Sequence, residues 1–238
     1  MLFIYVRHGV PTYSPDALTP IGRRQAEAVA KRLALFGVDQ IYASTSNRAI
    51  ETAQPTCELL GKKMTLLDFC DEKYAWKEIV VKNKDGLMTW AFAEFKTRQL
   101  FVTRELLQMG RQWYDHPALK EYTLKEGIER IQRESDKFFY SLGYEHIPET
   151  GAYKVIRPND DRVALFAHQG FGLAFLSCVL DIDYPRFCMH FDMGFTGMTV
   201  IEFKEEEGIA IPRVLTLSSD SHLYREGLPT NYQNKIRF

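Results

Sequence analysis

Arg7-His8-Gly9 follows directly on MLFIYV, the apolar run that opens the chain. An imidazole is a nucleophile or proton carrier near neutral pH, and a guanidinium is a planar fork matched to phosphate oxygens. One histidine at such a place would more often be structural, since a turn readily satisfies both ring nitrogens. This one has company: Arg48 and His168 stand just after two further apolar runs, at 40–43 and 162–167. Ligands of open parallel sheets bind beyond the carboxyl ends of the strands. Three strand ends would then deliver two arginines and two histidines to one edge. That set meets the needs of phosphoryl transfer, which are a nucleophile, fixed donors for the non-bridging oxygens and helix N-termini that favour negative charge.

Such a set needs a sheet to hold it. Continuous rather than alternating hydrophobicity at 2–6 predicts a strand covered on both faces. Thr19-Pro20 predicts a helix start, and Ala26, Val29, Ala30 and Leu33 supply its apolar stripe before Gly37. A strand at 40–43, a helix over 47–60 closed by Gly61, a strand at 162–167, a helix over 171–180 and strands at 198–203 and 213–217 continue the alternation. Strands alternating with helices predict a three-layer α/β/α sandwich around a mostly parallel central sheet. Residues 1–238 read as a single domain, with 79–150 a helical insertion capping the site. Inside it, the aromatics of 87–109 predict one helical stretch. Thr123-Leu-Lys-Glu126 predicts a capping box, heading a helix that carries Ile128, Ile131, Phe138, Phe139 and Leu142.

The chain has 238 residues, 45% hydrophobic and 26% charged, enough for a full-sized core and too ordered a composition for disorder. Thirty basic against thirty-one acidic side chains leave no basic field for nucleic acid. Cys57, Cys70, Cys178 and Cys188 form no CxxC pair and no disulfide framework, which fits reduced thiols in a cytoplasmic protein. The opening apolar run is too short for a signal peptide or a membrane span. We therefore expect a soluble, unprocessed protein with no membrane partner.

The constellation resembles the histidine phosphatase superfamily, or phosphoglycerate mutase-like family, over almost the whole chain. The RHG signature stands as Arg7-His8-Gly9. LTxxGxxQA stands as Leu18-Thr19, Gly22 and Gln25-Ala26, and SxxxRAxxTA as Ser44, Arg48-Ala49 and Thr52-Ala53. His168 matches the second histidine, and Ser221-His222-Leu223 the C-terminal SHL segment. The resemblance implies that His8 attacks phosphorus to give a phosphohistidine, while Arg7, Arg48 and His168 hold the non-bridging oxygens in place of a metal, with no cofactor. The attacking nitrogen must be unprotonated, so the other ring N–H needs an acceptor, most simply a backbone carbonyl.

The family's general acid falls between the second helix and the insertion, where Glu72, with Ala75-Trp76 behind it, is the choice and Asp71 and Glu78 are rivals. If it serves, burial should raise its pKa. Val10-Pro11-Thr12-Tyr13 replaces the polar groups that follow RHG in the mutases that act on phosphoglycerate, which argues against mutase activity. Thr12 is a possible phosphate donor or a turn stabiliser, and Gln169 stands where the family usually has glycine; its backbone N–H can still point at an anion. His116, His146 and His190 lack the spacing of a zinc site, so no metal is expected. Tyr74, Trp76, Trp90 and Trp113 suggest an aromatic-lined lid and an organic leaving group. The expected activity is a phosphomonoesterase acting on a small organic phosphate; the alternatives are a phosphomutase and a non-catalytic phosphate-recognition module.

Overall fold

In the computed structural model, which describes residues 1–230, the opening run forms β1 (Leu2–Arg7) at the middle of the sheet. A hairpin of β2 (Pro11–Tyr13) and β3 (Asp16–Leu18) leads to α1 (Pro20–Ala34), β4 (Gln40–Ser44), α2 (Asn47–Leu60) and β5 (Met64–Leu67). After a 3-10 turn at Asp68–Cys70 come α3 (Glu72–Glu78), a second hairpin of β6 (Val80–Lys82) and β7 (Met88–Trp90), α4 (Phe95–Phe101), α5 (Arg104–Gln108), a 3-10 segment at Gly110–Asp115 and α6 (Leu124–Ser141). The rest is β8 (Tyr144–His146), β9 (Tyr153–Val155), β10 (Arg162–Ala167), α7 (Gln169–Leu180), α8 (Tyr184–His190), β11 (Met198–Glu202), β12 (Glu205–Glu206), β13 (Ile209–Ala210), β14 (Arg213–Ser219) and α9 (Ser221–Arg225).

The main sheet runs β14-β11-β1-β10-β4-β5, with β1, β10, β4 and β5 parallel, β11 antiparallel to β1, and the edge strand β14 antiparallel to β11. Period-two alternation divides the core between its faces. Phe3, Tyr5, Val163 and Leu165 join Phe138, Phe139 and Phe175 on one side, whereas Ile4, Val6, Ala164 and Phe166 join Val29, Leu33 and Ala53 on the other. This is the three-layer α/β/α sandwich expected from the alternation. Thr19 caps α1 by accepting from the Gly22 N–H at 3.1 Å, and Gly61 closes α2 at φ 62°.

The segment 79–150 departs from its expected form. The aromatics of 87–109 are not one helix: Trp90 pairs with Val80 across the β6–β7 hairpin, and Glu94 and Thr103 each cap a new short helix. Regular aromatic spacing marked burial there, while the side-chain caps cut the backbone into pieces. Thr123 makes no capping bond. Its hydroxyl donates to the Glu78 carbonyl at 3.1 Å and ties the start of α6 to the end of α3. α6 itself lies on the sheet through Phe138 and Phe139, so the part of the segment beside the site is the hairpin. Trp113 is core, packed on Phe101 and Tyr184. No helix of the described residues is long and apolar enough to cross a membrane.

Candidate active site

β1 and β10 run in parallel register with Arg7 opposite Ala167, and the His8 N–H donates to the Ala167 carbonyl at 2.9 Å. The next residue on each strand is a histidine. The imidazoles of His8 and His168 therefore meet, ring centroids 5.3 Å apart at 61°. His8 Nδ1 contacts the Gly9 carbonyl at 2.8 Å; as the donor there, it leaves Nε2 with the lone pair. The signature residues hold this turn. Gly9 N–H donates to Thr52 Oγ1 at 3.0 Å and Val10 N–H to Gln25 Oε1 at 3.0 Å. A Cβ on Gly9 would lie 2.6 Å from the Gly22 carbonyl oxygen, and one on Gly22 only 2.2 Å from the Val10 carbonyl oxygen. Two bare backbones touch here, so both positions need glycine.

Around the histidines stand the two guanidinium groups. Arg7 is 4% exposed, donates to the Met193 carbonyl at 2.5 Å and lies 4.0 Å over the Phe195 ring. Arg48, at the opening of α2, is stretched between Asp16 at 2.9 Å and Glu72 at 3.0 Å. His168 is fixed by Tyr5, whose hydroxyl donates to its carbonyl at 2.6 Å, and by Ser44, whose Oγ lies 2.7 Å from Nε2. With Nε2 accepting from Ser44, Nδ1 carries the proton. Among the described residues, Arg7 Nε, Arg48 Nε and His168 Nδ1 are buried with no hydrogen-bond partner, three N–H groups left over in one cluster. An oxyanion would offer acceptors to all three.

Glu72 begins α3. Its Oε1 accepts from the Gly170 N–H at 3.1 Å, and its Oε2 sits 3.0 Å from Arg48 Nη2 and 3.6 Å from His168 Nδ1. Burial raises its pKa against the pull of Arg48, the direction expected of a proton donor. The two rival carboxylates are engaged elsewhere. Asp71 caps α3 through the Lys73 N–H and accepts from Thr45 at 2.7 Å; burial pushes its pKa up, but these hydrogen bonds win and hold it below the ordinary value. Glu78 forms a two-pronged pair with Arg130 at 2.6 and 2.8 Å. Burial, reinforced by Arg7 at His8 and by His8 and Arg48 at His168, drives both imidazoles well below the ordinary histidine pKa. Both are neutral at pH 7.

A cavity of about 790 Å³ opens from this cluster, lined by Tyr13, Asp16, Arg48, Glu72, Trp76 and Trp90 among others. Thr12 pairs with Ala17 in the first hairpin, whose Tyr13 and Asp16 line the cavity. At the start of α7 it is the Gly170 N–H that reaches into the cluster, onto Glu72, while the Gln169 side chain donates to Asp192. His8, Glu72 and His168 bring three potential metal-ligating atoms within 4.8 Å of one another. A cation there would have to displace Arg48 from Glu72 and sit among two guanidinium charges, so the donor set suits an anion better. Of the remaining histidines, His146 pairs with Asp136 at 3.2 Å, His116 is buried beside Glu105, and His222 lies 3.0 Å from Thr196, whose N–H donates to the His8 carbonyl.

Asp16, Tyr5, Phe195 and Gly170 were not visible as site residues in the sequence. Asp16 reaches Arg48 by the fold of a hairpin, and Gly170 matters through a tryptophan 80 positions away.

The family model described as histidine phosphatase superfamily (branch 1) matches residues 3–213. No curated protein matches the sequence. Among solved structures, the chain is similar to a phosphoserine phosphatase from Entamoeba histolytica in complex with 3-phosphoglyceric acid, at 18% identity and TM-score 0.57, covering 93% of this chain and 98% of that one. It is also similar to a mycobacterial glucosyl-3-phosphoglycerate phosphatase complexed with VO3, at 18% identity and TM-score 0.58, covering 92% and 99%. A third, a mycobacterial hydrolase, gives 20% identity and TM-score 0.59 over 92% and 98%.

Proposed function

The chain belongs to the histidine phosphatase superfamily, and from that membership we propose that it is a phosphomonoesterase acting on a small organic phosphate through a phosphohistidine on His8. The observation that carries the reading is the cluster of three buried N–H donors, unpartnered among the described residues, beside an imidazole whose Nδ1 is turned to the Gly9 carbonyl and a carboxyl whose pKa is raised.

The phosphoryl group sits among Arg7, Arg48 and His168, which take its non-bridging oxygens. His8 Nε2 attacks phosphorus opposite the leaving oxygen; the N–P bond forms as the P–O bond breaks, and Glu72 gives its proton to the departing alkoxide. The Glu72 carboxylate then takes a proton from water, whose oxygen attacks the phosphohistidine. Inorganic phosphate leaves, and both His8 and Glu72 return to their starting states. Asp16 and Glu72 hold the Arg48 fork in place, and Ser44 keeps the His168 proton on Nδ1. The two guanidinium groups supply the positive charge that a metal would otherwise bring, so the reaction in this reading needs neither metal nor cofactor. The similarity to two structures named phosphatases is consistent with this reading through the fold they share.

Assay of a panel of phosphomonoesters with wild type and His8→Ala, together with acid quenching to trap labelled enzyme, tests the proposal. The expected result is His8-dependent phosphate release and an acid-labile phosphoenzyme in the wild type only. Equal activity in the two proteins would remove His8 as nucleophile, and no turnover of any ester would leave a phosphate-recognition module.

A further inference from the structure

The cavity beyond Glu72 is polar on one side and indole on the other. Thr45, Ser46 and Asn47 line it together with Trp76 and Trp90. Trp76 stands four residues after Glu72 on α3, hence on the same helix face. Trp90 comes from the end of the β6–β7 hairpin. The two rings meet edge to face, 5.1 Å apart at 74°, and Phe92 stacks behind Trp90 at 5.6 Å and 23°. Tyr13, 69% exposed, continues the aromatic surface beside Arg48. Trp76 is 43% exposed. Large apolar surface left open around a polar cluster marks a place where something else is to be covered.

Trp90 is not loosely held. Its indole rests against the backbone of Gly170, where an added Cβ would come within 2.5 to 2.8 Å of three ring atoms. The N–H of that same glycine donates to Glu72 Oε1. The seat of the indole and the seat of the carboxyl are thus one residue, and the distance from acid to aromatic wall is fixed by the start of α7.

Resting on the phosphatase reading, we infer that Trp76 and Trp90 form the leaving-group subsite and that the substrate's alcohol carries an aromatic ring. The oxygen that Glu72 protonates must lie within hydrogen-bond reach of its carboxyl, and the remainder of the alcohol extends into the cavity, along the indoles. Two aromatic surfaces set at a steep angle receive a flat apolar ring on its face and its edge together. A pyranose carries hydroxyls all round its rim and would turn some of them against one indole or the other. Polar substituents on the far edge of the ring would meet Thr45, Ser46 and Asn47.

The test compares 2-naphthylmethyl phosphate, glycerol phosphate and glucose 6-phosphate, all esters of alcohols, so that ease of departure does not dominate the comparison. The full-length wild type, Trp90→Ala, Trp90→Phe and Trp76→Ala are assayed, with circular dichroism and thermal melting to confirm folding. Binding of the non-hydrolysable 2-naphthylmethylphosphonate is measured in parallel by calorimetry. We expect Trp90→Ala to lower the naphthylmethyl-to-glycerol ratio of kcat/KM by about tenfold, Trp76→Ala to lower it in the same direction, and Trp90→Phe to keep most of it. The phosphonate should bind about tenfold more weakly to Trp90→Ala. Ratios and phosphonate affinity unchanged in both folded alanine variants would overturn the inference. So would an equal loss on glucose 6-phosphate, which would point to sugar stacking. Tryptophan-dependent binding without His8-dependent turnover would instead overturn the phosphatase reading and leave the subsite standing.

Discussion

Replacing Glu72 with glutamine separates its role as acid from its role as structure. Glutamine keeps an oxygen for the Gly170 N–H but turns an amide toward Arg48, which then retains only Asp16. The lost charge-assisted hydrogen bond is worth about 1.5–3 kcal/mol. Against it stands the cost of keeping a carboxylate among buried groups. The raised pKa says that burial outweighs the pull of Arg48, so ionised Glu72 is a net burden on the fold relative to neutral Glu72. The net change in stability should therefore stay within about 1 kcal/mol. Catalysis should change far more. A positioned general acid contributes roughly 10²–10⁴-fold. kcat/KM for an alkyl phosphate should fall by that factor, and for p-nitrophenyl phosphate, whose phenolate leaves unaided, by less than about tenfold. The pH profile follows from the sign of the shift. Glu72 donates only while protonated, so wild-type activity on the alkyl ester declines as pH rises through its raised pKa, and Glu72→Gln removes that limb. An equal loss on both esters, or an alkaline limb that survives the substitution, would refute the assignment and return the role to Asp71 or Glu78.

Burial pushes the pKa of His222 down to about 4, so the unfolded chain takes up a proton below about pH 6.5 that the folded one refuses; stability is lost as pH falls, at up to about 1.4 kcal/mol per pH unit. His222→Gln should recover part of the stability lost between pH 7 and 4.5, read from urea midpoints, and equal losses in the two proteins would contradict this. Ser44→Ala leaves the buried His168 Nε2 and the Ser46 N–H without a partner and should cost about 1–3 kcal/mol of stability in urea titration; where both proteins remain folded, kcat/KM should also fall roughly 5- to 30-fold, and an activity within twofold of wild type would show that the imidazole needs no such help. Gly22→Ala drives a Cβ into the Val10 carbonyl and should destabilise the fold by about 1–3 kcal/mol in denaturant titration while impairing the adjoining His8 turn.

What was readable in the sequence was what local chemistry decides. The strand before Arg7, the Thr19 cap, the glycine closing α2 and the placement of His8, Arg48 and His168 at strand ends all depend on residues a few positions apart. The choice of Glu72 among three acids rested on family resemblance, and the geometry that favours it, a hydrogen bond from Gly170 and an ion pair to Arg48, joins distant segments. The segment 87–109 misled because aromatic spacing reports burial without saying which backbone supplies it. Trp90 buries itself from a hairpin, Trp113 within the core and Phe95 hardly at all. The Gly170 N–H on Glu72 was not legible either, because it joins the start of α7 to α3, 98 positions earlier in the chain.

Because His8 and His168 follow paired positions on neighbouring parallel strands, the gap between them is a dimension of the backbone ladder rather than of the surrounding side chains. Main-chain spacing barely responds to substitution. The two imidazoles can therefore keep their spacing while residues of the β6–β7 hairpin, whose Trp90 meets α7 at Gly170, change one at a time.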